Sequence, residues 1–265
     1  MDSYISNFYC YNKKIIYNFE IGNGGIGDCL KFFMYILNIC INNNIRLYYK
    51  INNLGIEKYI KLKFNKMYIN DEEIDNKKYI NNECDIFKIE NENEYNIVIP
   101  FIFYENFRFD DIKMNIEEVF EFSSEVKFNK NKLLSENIIS YESLHLRLGD
   151  KYLETDKSFV NCPHDERQFD EQKIFDYIEK NNNKNIIFFC DNQSYKLKLK
   201  QKYPNLILLN SEVGHTGLLN TTDKQVLDSV TEFYIMSNSE KIISASYSGF
   251  SLAASKFKNV PIITI

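Results

Sequence analysis

Apolar and polar stretches alternate along the second half of the chain in a pattern that predicts short strands and helices. Wholly apolar runs such as Ile186–Cys190 are typical of strands buried on both faces of a parallel sheet. The amphipathic stretches between them predict helices, so this half indicates a doubly wound, Rossmann-like α/β sheet. The predicted strands are 138–144, 186–190, 206–209, 241–245 and 260–265, and the predicted helices are 169–179, 194–202, 226–237 and 252–257.

The first half of the chain also predicts alternating strands and helices, but less regularly. Residues 14–21 predict a strand, the glycine-rich run 22–28 predicts a loop, and residues 29–41 predict a helix that is buried on several sides because it is apolar nearly all round. We further predict strands at 46–51 and 95–103, a helix at 54–62 and a domain boundary within 125–135.

Composition narrows the class of protein. The chain has 265 residues, 44% of them hydrophobic, which is enough for a core and argues against global disorder. Its net charge of −5 is spread over interleaved acidic and basic residues, so we expect no nucleic-acid surface, although one positive pocket for a phosphate compound remains compatible.

The six cysteines and the N-terminus predict a soluble cytoplasmic protein. No cysteine pair has CxxC spacing, so a zinc ribbon is disfavoured, and we expect free thiols in a reducing compartment. Residues 1–17 lack the apolar run of a signal peptide, and the longest apolar segment, 30–41, is too short to span a bilayer.

The loop before the first long helix is a candidate phosphate site. Gly25 and Gly27 stand in a strand–loop–helix context, where glycines let backbone N–H groups approach a ligand at a helix N-terminus. The spacing matches neither the dinucleotide fingerprint nor the P-loop. The glycines therefore either contact a ligand or only permit a tight turn under a packed helix.

Polar residues follow three of the predicted strands. His145 and Arg147 come at the end of the first, Asp191 follows the second, and Ser246 and Ser248 follow the third. Ligands of open α/β sheets bind at the carboxyl ends of strands, and the Arg fork matches phosphate oxygens, so we expect a nucleotide crevice here. Serines at helix starts are commonly N-caps, which accounts for Ser251.

These residues carry a resemblance to a known family. His145-Leu-Arg147-Leu-Gly-Asp150-Lys151 resembles the HxRxxDK segment of the α1,2-, α1,6- and protein O-fucosyltransferase superfamily. Residues 232–251 resemble its C-terminal block, and residues 24–28 its N-terminal glycine loop.

The resemblance implies a GT-B fold with an acceptor domain, residues 1–130, and a nucleotide-sugar-binding domain, residues 131–265. It implies inverting transfer of fucose from GDP-fucose to a glycan or other hydroxyl acceptor, with no metal or cofactor. The residues that it assigns to the donor are Arg147 and Lys151 at the diphosphate, Ser246 and Ser248 at the pyrophosphate, and His145 and Glu232 at guanosine, with Asp228 as the alternative to Glu232.

Two departures from the family pattern leave alternatives open. The second of two adjacent arginines is Leu148 here, and the glycine loop ends in Gly27-Asp28 where the family often has Gly-Asn. Gly-Asp before an apolar helix is similar to heptosyltransferases, another GT-B family with a different donor. A heptosyltransferase-like enzyme and a non-catalytic nucleotide-sugar or glycan-binding module are therefore the alternatives.

Two carboxylates are candidates for the catalytic base. Glu154 lies just beyond Lys151, where α1,6-fucosyltransferases carry a Glu, although its register differs by one residue. Asp28 closes the glycine loop, where heptosyltransferases carry their base, and its other interpretation is a cap of the following helix. We favour Asp28, because a base should approach from the acceptor domain while Arg147 holds the donor.

Overall fold

The computed structural model describes residues 1–52, 55–90, 93–212 and 214–265 of the chain. Strands and helices alternate through most of this length. The strands are β1 (Lys14–Glu20), β2 (Arg46–Asn52), β3 (Ile60–Leu62), β4 (Lys77–Ile80), β5 (Tyr95–Val98), β6 (Phe120–Phe122), β7 (Glu142–Leu146), β8 (Ile186–Cys190), β9 (Lys241–Ser244) and β10 (Ile262–Thr264). The α-helices are α1 (Asp2–Ser6), α2 (Ile26–Asn42), α3 (Ser124–Leu133), α4 (Glu171–Lys180), α5 (Gln193–Lys202), α6 (Asp223–Met236) and α7 (Gly249–Lys258).

Two four-stranded parallel sheets organise the molecule, and they confirm the predicted α/β class. The first has the strand order β2-β1-β5-β4, and the second has the order β10-β9-β7-β8. A short antiparallel pair, β3 with β6, forms a third sheet. In the second sheet β7 lies between β8 and β9, so the segments that leave these three strands are neighbours at one edge.

The largest buried apolar cluster joins the first half of the chain to its last helices. It contains the inner faces of the first sheet and α2, together with residues of α6 and α7 such as Phe233 and Phe257. The ring of Phe257 lies 4.5 Å from that of Phe122, measured between centroids. Burial of such aromatic side chains is the main stabilising contribution to a core. The packing of α6 and α7 against the first half of the chain therefore stabilises the contact between the two halves.

Several element boundaries differ from the sequence prediction. The predicted strand 95–103 ends at Val98, and a 3₁₀ helix, Pro100–Phe103, follows because Pro100 has no N–H for a strand ladder. The predicted helix 54–62 is a 3₁₀ turn, Ile56–Lys58, followed by β3, and its first residue lies outside the described residues.

Three further differences concern the sheets and α2. The predicted strand 206–209 is reduced to one parallel bridge between Ile187 and Ile207. Strand β4 was not predicted, because its segment is rich in lysine and asparagine. Helix α2 begins at Ile26 with Gly25 as its N-cap residue, so Asp28 lies in the first turn and the interpretation of Asp28 as the cap is wrong.

The predicted boundary between residues 130 and 131 falls inside α3 and stays a prediction. Helix α3 packs on α6, and Asn129 of α3 donates hydrogen bonds to Asp228 and Thr231 of α6. No helix in the described ranges combines the length and hydrophobicity needed to cross a bilayer. Cys29, Cys40 and Cys190 are buried and unpaired by disulfides, as the sequence predicts.

Candidate active site

A cleft of about 1020 Å³ opens along the carboxyl ends of the strands of both sheets. From the first half of the chain it is lined by the glycine loop, the first turn of α2 and the segment 101–110. From the second half it is lined by the segments that leave β7 and β8, the turn before α7 and residues 214–218. The cleft therefore lies where the strand ends of the second sheet face the start of α2, as expected for a ligand site in this class of fold.

The glycine loop is tightly packed, and both Gly25 and Gly27 line the cleft. A Cβ on Gly27 would lie 2.5 Å from the carbonyl of Gly249, so the first turns of α2 and α7 touch through backbone. The N–H of Ile26 donates to the Thr216 hydroxyl at 3.0 Å, which occupies one of the donors at the start of α2. Close packing thus explains the glycines, and a ligand role for Gly25 and Gly27 stays a prediction.

Arg147 lies one residue beyond β7 and is held by two carboxylates. Its guanidinium forms ion pairs with Asp150 and with Asp191, the latter at 2.8 Å between Nη1 and Oδ2. Burial raises the pKa of Asp150, and Arg147 opposes that shift. Arg147 lines the cleft, and only 16% of its side chain is exposed. The two ion pairs therefore fix the orientation of the guanidinium before any ligand binds.

Asp191 and Ser246 support the Arg147 loop from either side. Asp191 accepts hydrogen bonds from the backbone N–H groups of Leu148 and Gly149, at 2.8 and 3.1 Å. Ser246 both accepts from the Arg147 N–H and donates to the Arg147 carbonyl, at 2.9 and 2.8 Å. Asp191 and Ser246 therefore both lie at the predicted site, and their hydrogen bonds there are to the backbone of the loop that carries Arg147.

His145 is a buried histidine in the cleft wall. Its Nδ1 is buried and has no hydrogen-bond partner within the described part of the chain. Its ring stacks on that of Phe250 at 5.7 Å between centroids. Burial, reinforced by Arg147 and Lys196, lowers the pKa of His145 to about 3, so the imidazole is neutral at physiological pH. A buried polar atom without a partner costs free energy, so a bound ligand or water that pairs with this nitrogen would be stabilised.

Glu232 reaches the same cleft from α6. Its Oε1 accepts from the Lys196 ammonium at 3.0 Å and from the Ser211 hydroxyl. Lys196 is only 1% exposed, which fixes the carboxylate firmly. The alternative, Asp228, accepts hydrogen bonds from Asn129, Lys224 and the N–H of Glu212, and it does not line the cleft.

Ser248, not Ser251, is the N-cap of α7. The Ser248 hydroxyl accepts from the N–H of Phe250 at 3.3 Å, whereas Ser251 bonds to the Ser248 carbonyl and to Ser244. Ser248 lines the cleft at this helix N-terminus, where the macrodipole favours an anion.

Asp28 projects from the first turn of α2 into the cleft, and its carboxylate forms an ion pair with Lys31. The sequence analysis missed Lys31, a lysine inside an apolar helix. It is 5% exposed, and its ammonium lies 4.5 Å from the centre of the Phe32 ring and 5.3 Å from that of Tyr104. The spacing of three residues on α2 was the only signal that could have linked Lys31 to Asp28.

Lys151 and Glu154 lie away from the cleft. Lys151 is exposed and pairs with Glu166 at 2.7 Å. Glu154 accepts hydrogen bonds from the N–H groups of Gln193 and Ser194, at 2.9 and 3.0 Å, in the first turn of α5, whose N-cap residue is Asn192. Burial alone would raise the pKa of Glu154, but these bonds outweigh it and lower the pKa. The fold therefore does not place Lys151 or Glu154 in the cleft with the other predicted site residues.

His215 is a second cleft histidine that the sequence analysis missed, because no strand or helix signal marks its loop. Its Nδ1 accepts from the N–H of Gly217 at 3.2 Å, so in the neutral ring the proton is on Nε2. Burial and Arg147 lower the pKa of His215 to about 4, although Asp28 and Asp191 oppose them. His215 can therefore donate a hydrogen bond in the cleft but cannot act as a base through Nδ1.

Comparison with known proteins finds similarity in fold and none in sequence. No family model matches the chain, and no characterised protein matches its sequence. A NodZ α-1,6-fucosyltransferase soaked with GDP-fucose matches with a TM-score of 0.61 and 11% identity, over 95% of this chain and 94% of that one. A point mutant of FUT1 from Arabidopsis thaliana in complex with GDP matches with a TM-score of 0.55 and 11% identity, over 100% of this chain and 74% of that one.

A fucosyltransferase NodZ from Bradyrhizobium matches with a TM-score of 0.59, at 11% identity over 95% of both chains. The chain therefore has the fold of the GT-B fucosyltransferases, which confirms the fold that the motifs imply.

Proposed function

We propose that this chain, with its GT-B fucosyltransferase fold, is an inverting glycosyltransferase that transfers fucose from GDP-fucose to a hydroxyl acceptor. The fold supports a nucleotide-sugar transferase, and the ligands of two similar structures, GDP-fucose and GDP, support the donor. The observation that carries the proposal is the buried His145 Nδ1, which lacks a partner within the described ranges and lies in the same cleft as the fixed carboxylate of Glu232.

This pair suits a guanine base. The N1–H and N2–H groups of guanine need an acceptor, and a carboxylate has about four acceptor sites, of which Lys196 and Ser211 use two on Glu232. Neutral His145 supplies one further donor or acceptor. The guanine would lie between these residues, on the aromatic wall that Phe250 forms.

The remaining residues suit the diphosphate and the reaction. Arg147 can donate N–H hydrogen bonds to the diphosphate oxygens, and the N-terminus of α7 with Ser248 adds positive potential for the departing GDP. Asp28 would deprotonate the acceptor hydroxyl, which then attacks the anomeric carbon from the face opposite the leaving diphosphate. Lys31 replaces Lys151 as the second cation within reach, since Lys151 lies outside the cleft. We expect the activity to survive EDTA.

A panel of nucleoside diphosphates tests the donor. A ligand at ~100 times its dissociation constant adds about 2.7 kcal/mol to the free energy of unfolding. At equal concentrations the nucleotide that binds most tightly gives the largest thermal shift, and we expect that nucleotide to be GDP. The double variant Glu232→Gln/Lys196→Met removes both charges of the buried pair together, and it should lose the preference for GDP while still binding pyrophosphate. A larger shift with UDP, ADP or CMP would overturn the GDP assignment.

A matched pair of amide variants tests the base. Asp28→Asn should reduce turnover of GDP-fucose by roughly two to four orders of magnitude, the usual span of general-base catalysis, while GDP affinity is kept. Glu154→Gln should remain active, because Glu154 lies outside the cleft, hydrogen-bonded to the first turn of α5. An inactive Glu154→Gln beside an active Asp28→Asn would reverse the assignment. GDP binding without any turnover would favour the non-catalytic module.

A further inference from the structure

Two aromatic rings lie exposed and stacked at the mouth of the cleft. Phe101 and Tyr104, from the 3₁₀ helix after β5 and the residue that follows it, are 53% and 45% exposed. Their centroids are 5.7 Å apart and their planes are inclined by 26°, so together they form one nearly continuous apolar surface. Large apolar side chains exposed side by side in a cleft mark a binding surface.

Tyr104 is held rigidly next to the candidate base. The edge-to-face contact with Phe32 brings the two centroids to 4.7 Å, and the Lys31 ammonium lies 5.3 Å from the centre of the Tyr104 ring. Burial raises the pKa of the Tyr104 hydroxyl, and the nearby charge of Asp28 raises it further. The hydroxyl therefore stays protonated beside Asp28 and can both donate and accept a hydrogen bond.

A third exposed ring stands on the opposite wall. Tyr247, 63% exposed, occupies the turn between β9 and α7 and lines the same cleft as Tyr104. Arg108 and Asp110 add charged groups to the same wall as Phe101. Flat apolar rings interspersed with hydrogen-bonding groups match a pyranose, which has an apolar C–H face and a rim of hydroxyls. The positive C–H edge of a sugar is attracted to the negative face of an aromatic ring.

We infer that Phe101, Tyr104 and Tyr247 form the acceptor subsite, and that the acceptor is a glycan whose pyranose ring stacks on the Phe101–Tyr104 pair. The inference rests on the proposed function, because the same cleft holds the donor site, and Lys31, which pairs with Asp28, also lies against the Tyr104 ring. It also specifies that function, since stacked rings recognise a sugar better than the serine or threonine of a peptide. The sugar hydroxyl nearest Asp28 would be the one that is fucosylated.

Saturation-transfer NMR with methyl glycosides of glucose, galactose and N-acetylglucosamine tests the subsite, with and without GDP. We expect the wild-type protein to bind at least one glycoside, and Phe101→Ala and Tyr247→Ala to weaken that binding roughly tenfold, as loss of an aromatic contact implies. Tyr79→Ala is the matched control, because Tyr79 is equally exposed at 62% but lies outside the cleft. GDP affinity should be unchanged in all three variants.

The outcomes separate this inference from the proposed function. If wild type binds GDP but no glycoside, or if Phe101→Ala binds glycosides as well as wild type does, the acceptor subsite is wrong and the donor assignment stands. If only a serine- or threonine-containing peptide stimulates release of GDP from GDP-fucose, the glycan assignment is wrong. If wild type binds glycosides through these rings but never binds GDP, the subsite stands and the proposed fucosyl transfer fails.

Discussion

At the scale of single residues, Arg147 has both a proposed binding role and a structural role, and the sequence motif alone indicates only the first. Its side chain faces the cleft, where a diphosphate would bind, and it forms ion pairs with two largely buried carboxylates, those of Asp150 and Asp191. Asp191 also accepts two backbone hydrogen bonds from the loop that carries Arg147. The residue that we propose for the donor is therefore also part of the scaffold that shapes its own loop.

Substitution of Arg147 should consequently lower stability as well as binding. Arg147→Ala leaves two buried charges unpaired, which typically costs about 3–5 kcal/mol in the free energy of unfolding. Arg147→Lys keeps the charge and should recover part of that stability, but little GDP affinity, because a point charge cannot reproduce the fork. Urea denaturation and calorimetric titration with GDP measure the two effects separately.

Lys151→Ala is the control for the Arg147 variants. Lys151 belongs to the same motif, but its ion pair with Glu166 is exposed, and such pairs contribute at most about 1 kcal/mol. Stability of Arg147→Ala equal to that of Lys151→Ala would contradict the scaffold role of Arg147.

At the scale of elements, the cleft depends on how closely two helix N-termini approach each other. Helices α2 and α7 meet at their first turns, where Gly27 faces the backbone of Gly249. This contact places Asp28 and Lys31 of α2 next to the start of α7, since the Lys31 ammonium and an Asp28 oxygen both lie within about 3.5 Å of where a Cβ on Gly249 would be. One glycine thus sets the distance between the candidate base and the candidate diphosphate site.

Two alanine substitutions test this contact. Gly27→Ala should destabilise the protein by about 1–3 kcal/mol despite the better helix propensity of alanine, because its Cβ would lie 2.5 Å from the Gly249 backbone and push the helices apart. Gly249→Ala should be nearly neutral in thermal unfolding, since its Cβ meets only side-chain atoms at 3.4 Å and beyond. Equal melting temperatures for the two variants would show that the helices do not pack this closely in solution.

At the scale of the whole molecule, two neutral histidines in the cleft link folding to pH. The pKa values of His145 and His215 are lowered to about 3 and about 4, against 6.5 in the unfolded chain. The unfolded state therefore takes up protons below pH 6.5 that the folded state does not bind. Stability from this source is complete above pH 6.5 and is lost as the pH falls toward 4.

The expected slope is up to about 1.4 kcal/mol per pH unit for each histidine between pH 6.5 and 4. Urea denaturation at a series of pH values measures it. The double variant His145→Gln/His215→Gln takes up no such protons, so the slope in this window should be smaller than in wild type, and titrating carboxylates contribute equally to both proteins. Identical slopes would mean that the two imidazoles are solvated in the folded state.

The local pattern of apolar and polar residues predicted a large part of the fold. Short apolar runs specified β8 to the residue and the alternation of strands with helices, because burial on both faces of a parallel sheet requires such runs. Pattern also indicated that Arg147, Asp191 and Ser246 follow strands, and hence that they share one edge. The strand predicted at 138–144 is β7, Glu142–Leu146, so His145 lies inside the strand and not beyond it. It failed around residues 54–62, where β3 forms an antiparallel pair with β6 from a distant part of the sequence, and around residues 95–103, where Pro100 ends the strand and begins a 3₁₀ helix.

The sequence by itself determined the class of sheet, the motif at the end of β7 and the glycine loop, since each depends on residues close together along the chain. Only the tertiary structure decided which charges meet. Because β7 lies between β8 and β9, Asp191 and Ser246 reach Arg147 from opposite sides. The same packing directs Glu154 to the start of α5 and buries Lys31 beside Asp28. An ion pair forms between whichever charged groups the fold desolvates together, and strand order and helix packing, which no local pattern encodes, decide which groups those are.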